Sequence, residues 1–285
     1  MVSTNIEGMQ QLRIPVLTWH AYNLFGNTYE TNDLIAFGED LQTIFACEFS
    51  VVPLIEVARW VRGERGDFAA PVVALSCDDG TDFDALDLSH PVHGPQQSFV
   101  TRLAEFRAST GAAHVQAPIT SFVIASPSAR RQIADGAMAG QQALNDHWWR
   151  AASDSGLLQI ESHGWDHNHP TVSPVVQREQ RTGDFFAIDT FAECDAHVRS
   201  AANFIESVVG RRPQLFAYPW TQASHYMRAE YMPRHAEAVG TIAAFGGASD
   251  YIDRESDRWY LPRFVFGPDW KSRAGLEKIL YGSLR

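Results

Sequence analysis

Two adjacent carboxylates are the first residues in the chain whose types and spacing could do chemistry. They lie in Ser76-Cys77-Asp78-Asp79-Gly80, directly after a run of apolar residues. Neighbouring side chains at a strand end point to different sides, so one carboxylate could bind a metal while the other stays free as a base. Gly80 permits a tight turn that would let both carboxylates face one cleft. Asp-Asp-Gly is also a common polar turn sequence, and the motif alone leaves this alternative open.

A histidine pair is the second candidate group, in the segment His163-Gly164-Trp165-Asp166-His167. On one turn of helix, residues i and i+4 face the same way, about 5–6 Å apart, and can share one ion. Two imidazoles and one carboxylate leave positions open for water and substrate, as a catalytic zinc site requires. The alternative is a pair of surface histidines.

An aromatic turn is the third segment of interest. Tyr218, Pro219 and Trp220 follow an apolar run, and a proline between two aromatic residues predicts a rigid wall. Ordinary loop packing accounts for the same residues equally well.

The elements that must position these segments alternate along the chain. Seven short apolar runs predict buried strands, with helical patterns between them. Such alternation predicts a parallel α/β sheet, in which active sites gather at the carboxyl ends of strands. Thr190, with Glu193 three residues on, predicts a helix that ends at Gly210. The predicted strands are 15–20, 71–77, 119–125, 157–160, 213–218, 241–245 and 259–266.

Composition excludes several classes of protein. The chain has 285 residues, 45% of them hydrophobic, so it is too apolar for a disordered chain, and we expect one domain over residues 1–285. Its net charge of −11 argues against a nucleic-acid-binding surface. No apolar run approaches the roughly 20 residues of a membrane span. The first residues show no signal-peptide pattern, so the expected location is the cytoplasm.

Taken in order, the three segments resemble the motifs of the polysaccharide deacetylase family, carbohydrate esterase family 4, which has the NodB-homology fold. Residues 76–80 match its TFDDG-like first motif. The second motif, H-(S/T)-x-x-H-P, is matched at both histidines, with Gly164 in place of Ser or Thr. The third, R-x-P-(Y/F/W), is matched by Pro219 and Trp220, but Ala217 stands where the family has arginine.

The resemblance extends to both ends of the chain. Residues 16–20, which end in Trp19 and His20, resemble the opening "YH" strand of one branch of the family. Leu261-Pro262-Arg263 resembles the late LPR segment of that branch. The resemblance therefore runs from about residue 14 to about residue 267.

The resemblance implies a distorted (β/α)7-type barrel with a mostly parallel sheet. It implies that Asp79, His163 and His167 bind a divalent cation, most often Zn²⁺, and that Asp78 is the general base. A bound metal would lower the pKa of a water molecule and polarise the substrate carbonyl, which is what amide hydrolysis needs. Four aromatic or ring-bearing residues are expected to contact the sugar: Tyr218, Pro219, Trp220 and Trp165.

Two departures from the family pattern raise hypotheses about further site residues. Arg263 could reach Asp78 from another strand and replace the arginine missing at Ala217. The late histidine that usually serves as general acid is not evident, and His20 is the best substitute because it also ends a predicted strand. Of the other histidines, we expect His197 at the surface, and His169 either beside His167 or exposed.

The predicted function is removal of an acetyl group from an N-acetylated sugar or glycan precursor by a metal-dependent hydrolase. A first alternative keeps the fold but hydrolyses a small non-sugar amide or a cyclic imide. A second alternative is a non-catalytic carbohydrate-binding relative, suggested by the missing arginine and late histidine. The segment 81–118, between the first two motifs, is expected to be an insertion or lid that sets specificity.

Overall fold

The computed structural model describes residues 12–69, 71–111, 117–138, 140–172 and 182–285 of the chain. These residues form ten strands and eight α-helices. The strands are β1 (Val16–Trp19), β2 (Ser50–Val51), β3 (Val72–Cys77), β4 (Leu88–His90), β5 (Gly94–Gln96), β6 (Ile119–Val123), β7 (Leu158–Ser162), β8 (Leu215–Ala217), β9 (Ala243–Phe245) and β10 (Phe264–Val265). The helices are α1 (Asp33–Ala46), α2 (Leu54–Val61), α3 (Phe99–Thr110), α4 (Pro127–Ala137), α5 (Trp149–Asp154), α6 (Phe191–Asp195), α7 (Ala201–Val209) and α8 (Arg273–Gly282).

One curled sheet carries the site. Its strand order is β10-β1-β3-β6-β7-β8-β9, with β2 paired to the start of β3, and each of these pairs is parallel. With helices around it, the sheet forms a half-barrel, which confirms the predicted α/β barrel with a mostly parallel sheet. β4 and β5 form a separate antiparallel hairpin.

The inner strands are buried on both faces, which explains their uninterrupted apolar sequences. Every residue of β1, β3 and β6 is buried. Alternate side chains of β1 enter two different hydrophobic clusters, since Trp19 packs toward α1 whereas Val16 packs with Trp60 of α2. Thr18 of β1 and Ser76 of β3 satisfy each other through a hydrogen bond of 2.8 Å.

Side chains cap the first turns of α1 and α6. Asn32 accepts hydrogen bonds from two backbone amides in the first turn of α1. Thr190 and Glu193 form the predicted capping box at the start of α6. The chain from there to Gly210 is not one regular helix, because a π-helical turn over Ala196–Ser200 separates α6 from α7.

The last predicted strand is much shorter in the structure. Within 259–266, Leu261 makes a single parallel bridge to Phe245 of β9, and Phe264 then pairs with Leu17 of β1. The segment therefore spans the gap between the two edges of the sheet, and only Phe264–Val265 remains as strand. Arg263 lies within this spanning segment.

The segment 81–118 contains a 3-10 turn over Asp82–Asp84, the β4–β5 hairpin and α3, while its residues 112–116 lie outside the described residues. Phe99 of α3 packs on Phe37 of α1, with ring centroids 4.9 Å apart. The role of this segment as a lid, and the single domain over 1–285, remain predictions. None of the helices that the structure describes is long and apolar enough to cross a membrane.

Candidate active site

The carboxyl ends of the strands surround a cavity of about 600 Å³. Five residues that line it are His20 after β1, Asp78 and Asp79 after β3, His163 after β7, and Arg263 in the segment that spans the sheet edges. Parallel strands place active sites at this edge, so the fold brings the candidate residues together where the sequence predicts.

Backbone strain is concentrated in the three loops that hold the sequence motifs. Of the six non-glycine residues with positive φ in the described ranges, five lie in these loops: Asp79, His167, Asn168, Trp220 and Thr221. The left-handed region costs such residues on the order of 1–3 kcal/mol each, so it persists only where the surroundings enforce it. Gly80 has a φ of 72°, and a Cβ there would lie 2.6 Å from Val123 Cγ1, so only glycine fits.

Asp79, His163 and His167 each offer one metal-ligating atom, and these atoms all lie within 4.8 Å of one another. His163 Nε2 is 3.8 Å and His167 Nε2 is 3.6 Å from Asp79 Oδ1. The expected helical turn is wrong, because both histidines lie on the loop after β7. The left-handed backbone at His167 brings its ring to 5.0 Å from that of His163, centroid to centroid.

Hydrogen bonding and burial fix the state of the two imidazoles. His163 Nδ1 lies 2.9 Å from the Ala217 carbonyl oxygen, which can only accept, so Nδ1 carries the proton and Nε2 presents a lone pair toward Asp79. Burial lowers the pKa of His163, although Asp78 and Asp79 oppose that shift. Burial also lowers the pKa of His167, and His163 lowers it further. Two neutral imidazoles that face one carboxylate fit a divalent cation.

Asp78 is paired with Arg263, whose Nη1 and Nη2 donate to Oδ1 and Oδ2 at 2.7 and 2.8 Å. The two side chains are buried, with Asp78 4% and Arg263 2% exposed. Burial alone would raise the pKa of Asp78, but Arg263, together with His163 and His20, holds that pKa well below its usual range. Asp78 is therefore an ionised carboxylate at neutral pH, and Arg263 makes the contact hypothesised from the sequence.

His20 faces the same carboxylate from the end of β1. Its Nε2 lies 3.9 Å from Asp78 Oδ2, and its backbone amide donates to Asp33 Oδ2 at 2.8 Å. Asn23 Nδ2 also donates to Asp33 Oδ2, at 3.3 Å. Asp33 is buried at the start of α1, so it fixes the turn that presents the His20 ring to the cavity.

The aromatic turn presents only one of its residues to the cavity. Trp220 is 38% exposed, and its ring lies 4.4 Å from that of His167. Tyr218 and Pro219 are buried, and the Tyr218 hydroxyl donates to the Trp259 carbonyl oxygen at 2.9 Å. The prediction that Tyr218 and Pro219 contact substrate is wrong, because the chain turns at the strand end and directs both into the core.

Trp165 also lies away from the cavity. Gly164, with a φ of 82°, reverses the chain after His163 and turns Trp165 toward α7, where its ring lies 6.2 Å from that of Phe204. Trp165 instead lines a separate pocket of about 180 Å³ beside Ser126. Trp165 therefore does not line the cavity, and its contact with substrate stays a prediction.

His197 packs against the loop that carries His163 and His167. It is 1% exposed rather than at the surface, and its Nε2 lies 3.4 Å from Asp166 Oδ1. The Trp165 amide donates to its Nδ1 at 3.3 Å, so His197 braces the residues between His163 and His167. Its spacing from buried Cys194 and Ala201 placed it on an apolar helix face, a signal that could have predicted its burial.

His169 lines the cavity as well, which the sequence left undecided. Its ring is nearly parallel to that of Trp220, at 28° and 6.4 Å between centroids. Its Nδ1 lies 2.8 Å from Thr171 Oγ1. His169 and Trp220 together form one aromatic side of the cavity.

Part of the cavity lining is apolar, and no sequence motif pointed to it. The Asn145 amide donates to Asp82 Oδ1 at 2.8 Å, and the Tyr22 hydroxyl donates to the Met138 carbonyl oxygen at 3.0 Å. These bonds hold the segment after α4 against the loops that follow β1 and β3. The apolar side chains are Ile124, Ile133, Met138 and Leu144.

Comparisons with known proteins extend these observations. No curated protein is found to match the chain in sequence. Among solved structures, IcaB from Ammonifex degensii is similar with a TM-score of 0.63 at 13% identity, over 97% of this chain and 99% of IcaB. The deacetylase PplD from Streptococcus pyogenes, in complex with acetate, is similar with a TM-score of 0.62 at 14% identity, over 95% of this chain and 99% of PplD. For a de-N-acetylase from Aggregatibacter actinomycetemcomitans the TM-score is 0.58 at 14% identity, over 88% and 94% of the two chains.

These structural similarities show the fold, and the sequence profile of one family goes further. The profile of the polysaccharide deacetylase family matches residues 65–232, which include Asp78, Asp79 and both histidines of the loop after β7. His20 and Arg263 lie outside the matched residues. Because the match spans more than half of the 285 residues, the chain belongs to the polysaccharide deacetylase family and is a hydrolase of carbon–nitrogen bonds other than peptide bonds.

Proposed function

We propose that the chain is a metal-dependent deacetylase that removes the acetyl group from an N-acetylated sugar or glycan precursor. The observation that carries the proposal is the convergence of Asp79, His163 and His167, whose ligand atoms lie within 4.8 Å of one another beside the ionised carboxylate of Asp78. Family membership supports deacetylation, and the acetate bound to PplD is the product expected of such a reaction.

Asp79 Oδ1, His163 Nε2 and His167 Nε2 would hold the cation, most simply Zn²⁺. Bound there, it would supply Lewis acidity to the amide carbonyl and to the attacking water. Asp78 accepts the proton of that water at Oδ2, the oxygen that faces both His20 and His163. Arg263 keeps Asp78 ionised and holds its plane through two hydrogen bonds.

The remaining cavity residues fit the other needs of the reaction. His20 Nε2, which lies 3.9 Å from Asp78 Oδ2, would protonate the leaving amine. Trp220 and His169 offer an aromatic side on which a sugar ring can stack, and the apolar lining residues can contact the acyl group. Hydrolysis of a small non-sugar amide remains the alternative. The pairing of Arg263 with Asp78 argues against the non-catalytic alternative, which the arginine missing at Ala217 had helped to suggest.

Metal content tests the proposal directly. We expect near-stoichiometric zinc in the purified full-length protein, acetate release from N-acetylated sugars, and loss of both in His163→Ala. His225→Ala is the matched control, because His225 is exposed and does not line the cavity.

A parent protein that takes up no metal, even after zinc is added, would contradict the metal-dependent mechanism. Zinc binding with release of acetate only from small non-sugar amides would contradict the sugar substrate and favour the alternative.

A further inference from the structure

Asp84 is a further buried carboxylate close to the turn Asp78-Asp79-Gly80, which we call the catalytic turn. It does not line the cavity. It is fully buried, at the end of the 3-10 turn Asp82–Asp84. Three side chains donate hydrogen bonds to it. Cys77 Sγ and Ser121 Oγ donate to Oδ2 at 3.3 and 2.8 Å, and Thr81 Oγ1 donates to Oδ1 at 3.1 Å.

The positions of these donors show what Asp84 holds. Cys77 is the last residue of β3 and Thr81 is the first residue after Asp78-Asp79-Gly80, so the carboxylate links the two ends of that turn. Ser121 is the register partner of Cys77 on β6. Asp84 thus closes the turn on itself and anchors it to the neighbouring strand.

The turn needs such support. Asp79 has a φ of 75°, a conformation that a residue with a Cβ keeps only when its surroundings enforce it. The backbone hydrogen bonds that reach the turn from neighbouring elements are long, at 3.2 Å from the Asp78 amide to the Trp19 carbonyl and 3.3 Å from the Ile124 amide to the Asp79 carbonyl. The bonds to Asp84 are fully enclosed, so solvent does not compete with them.

We propose that Asp84 is a positioning residue that holds Asp79 in place to bind metal with His163 and His167. It acts through the turn and not on the substrate, because its side chain is enclosed. This inference rests on the metal site of the proposed function. It assigns the geometry of that site to a residue four positions beyond the end of the motif at Gly80.

The same protein offers a matched carboxylate that makes no hydrogen bond to the turn itself. Asp40 of α1 is also fully buried and also accepts three side-chain hydrogen bonds. Its donors are Trp19 Nε1 at 3.3 Å, Trp270 Nε1 at 3.0 Å and the Tyr29 hydroxyl at 2.6 Å. Loss of either carboxylate leaves three side-chain donors unpaired, but only loss of Asp84 removes hydrogen bonds to the two residues that flank Asp78-Asp79-Gly80.

The experiment measures the zinc affinity of the metal-free full-length protein by competition with a chromogenic chelator, together with the melting temperature. We expect Asp84→Ala to weaken zinc binding by about 10–100-fold. Asp84→Asn, which keeps one acceptor oxygen, should recover part of that loss. Asp40→Ala should lose comparable thermal stability and keep zinc affinity within about twofold of the parent.

A gentler pair of variants covers the case in which Asp84→Ala does not fold. Thr81→Val removes one hydrogen-bond donor to Asp84 at nearly constant side-chain volume. Its control is Thr43→Val, which removes a buried hydroxyl that donates to the Glu39 carbonyl within α1. We expect zinc affinity to fall severalfold in the first and to stay unchanged in the second.

The outcomes separate this inference from the proposed function. A parent protein that binds zinc, with unchanged affinity in Asp84→Ala and Thr81→Val, would overturn the role of Asp84 alone. A parent that binds no zinc would overturn the metal site and this inference with it.

Discussion

Two buried carboxylates, Asp40 and Asp78, lie near the end of β1, and they differ in the charge of their hydrogen-bond donors. Trp19 and His20 are consecutive, and alternation along the strand directs Trp19 to Asp40 and His20 to Asp78. Asp40 accepts hydrogen bonds only from neutral groups, two indoles and a phenol. Asp78 is paired with the guanidinium of Arg263.

The difference in partner decides the charge of each carboxylate. Burial raises the pKa of Asp40 to about 6, because the hydrogen bonds from its neutral donors only partly offset the cost of burying a charge. Burial acts in the same direction on Asp78, but the positive charge of Arg263 outweighs it and lowers the pKa. Depth in the fold therefore does not set the role of a carboxylate here; the charge of its partner does.

Replacement of Arg263 by Met should abolish this difference and have the largest effect. Without the guanidinium, burial would dominate and raise the pKa of Asp78, so the base would be protonated where the parent is ionised. We expect kcat/KM at neutral pH to fall about 10³-fold and the acid limb of the pH–rate profile to move to higher pH. Steady-state assays across pH measure both.

The control for this prediction is Arg211→Met. Arg211 pairs with the fully buried Glu161 at 3.1 Å, away from the cavity, so its loss should cost stability without moving the pH profile. An acid limb that stays in place in Arg263→Met would show that Arg263 does not set the charge of Asp78.

Trp19, the last residue of β1, and His20, which follows it, provide the next test. His20→Ala should lower kcat by about 10²-fold and remove the alkaline limb of the pH–rate profile, because the proposed donor to the leaving amine is lost. Trp19→Phe removes one donor to Asp40 and should leave both the rate and the profile unchanged. An alkaline limb that survives in His20→Ala would exclude His20 as the general acid.

Much of this site could be predicted from the sequence, because local signals determine it. Apolar runs fix β1, β3 and β7, and the polar residues that follow them reach one sheet edge in any parallel sheet. The glycine after Asp79 is required by its contact with Val123, and the sequence pattern already implied a tight turn there. The hypothesis that Arg263 reaches Asp78 came from a motif, and pairing across the sheet edges brings the two residues together.

The rest depended on backbone reversals and distant contacts that no spacing rule describes. An i, i+4 histidine pair suggests a helix, but the left-handed residues His167 and Asn168 make it a loop. Tyr218 belongs to the core because Trp259, far along the chain, supplies an acceptor for its hydroxyl. Asp84 carries no motif at all, and its role is visible only once Ser121 is placed beside it.

Replacement of Asp40 by Asn should have the smallest effect on turnover and a distinct effect on stability. The folded-state pKa of Asp40, about 6, lies above its unfolded value, so between roughly pH 4 and 6 the folded protein holds a proton that the unfolded chain has released. This group therefore makes the parent less stable as pH rises through that window, by up to about 1.4 kcal/mol per pH unit. The amide introduced by Asp40→Asn does not titrate, so this variant lacks the pH-dependent loss of stability. Its free energy of unfolding should rise relative to that of the parent from pH 4 to 6, and the difference between the two should be constant above about pH 7. Denaturant unfolding at several pH values measures the difference, with kcat expected within about twofold of the parent.

A difference that is constant with pH would show that Asp40 is already ionised in the fold, and the contrast with Asp78 would then lie in their partners' geometry rather than in their charge.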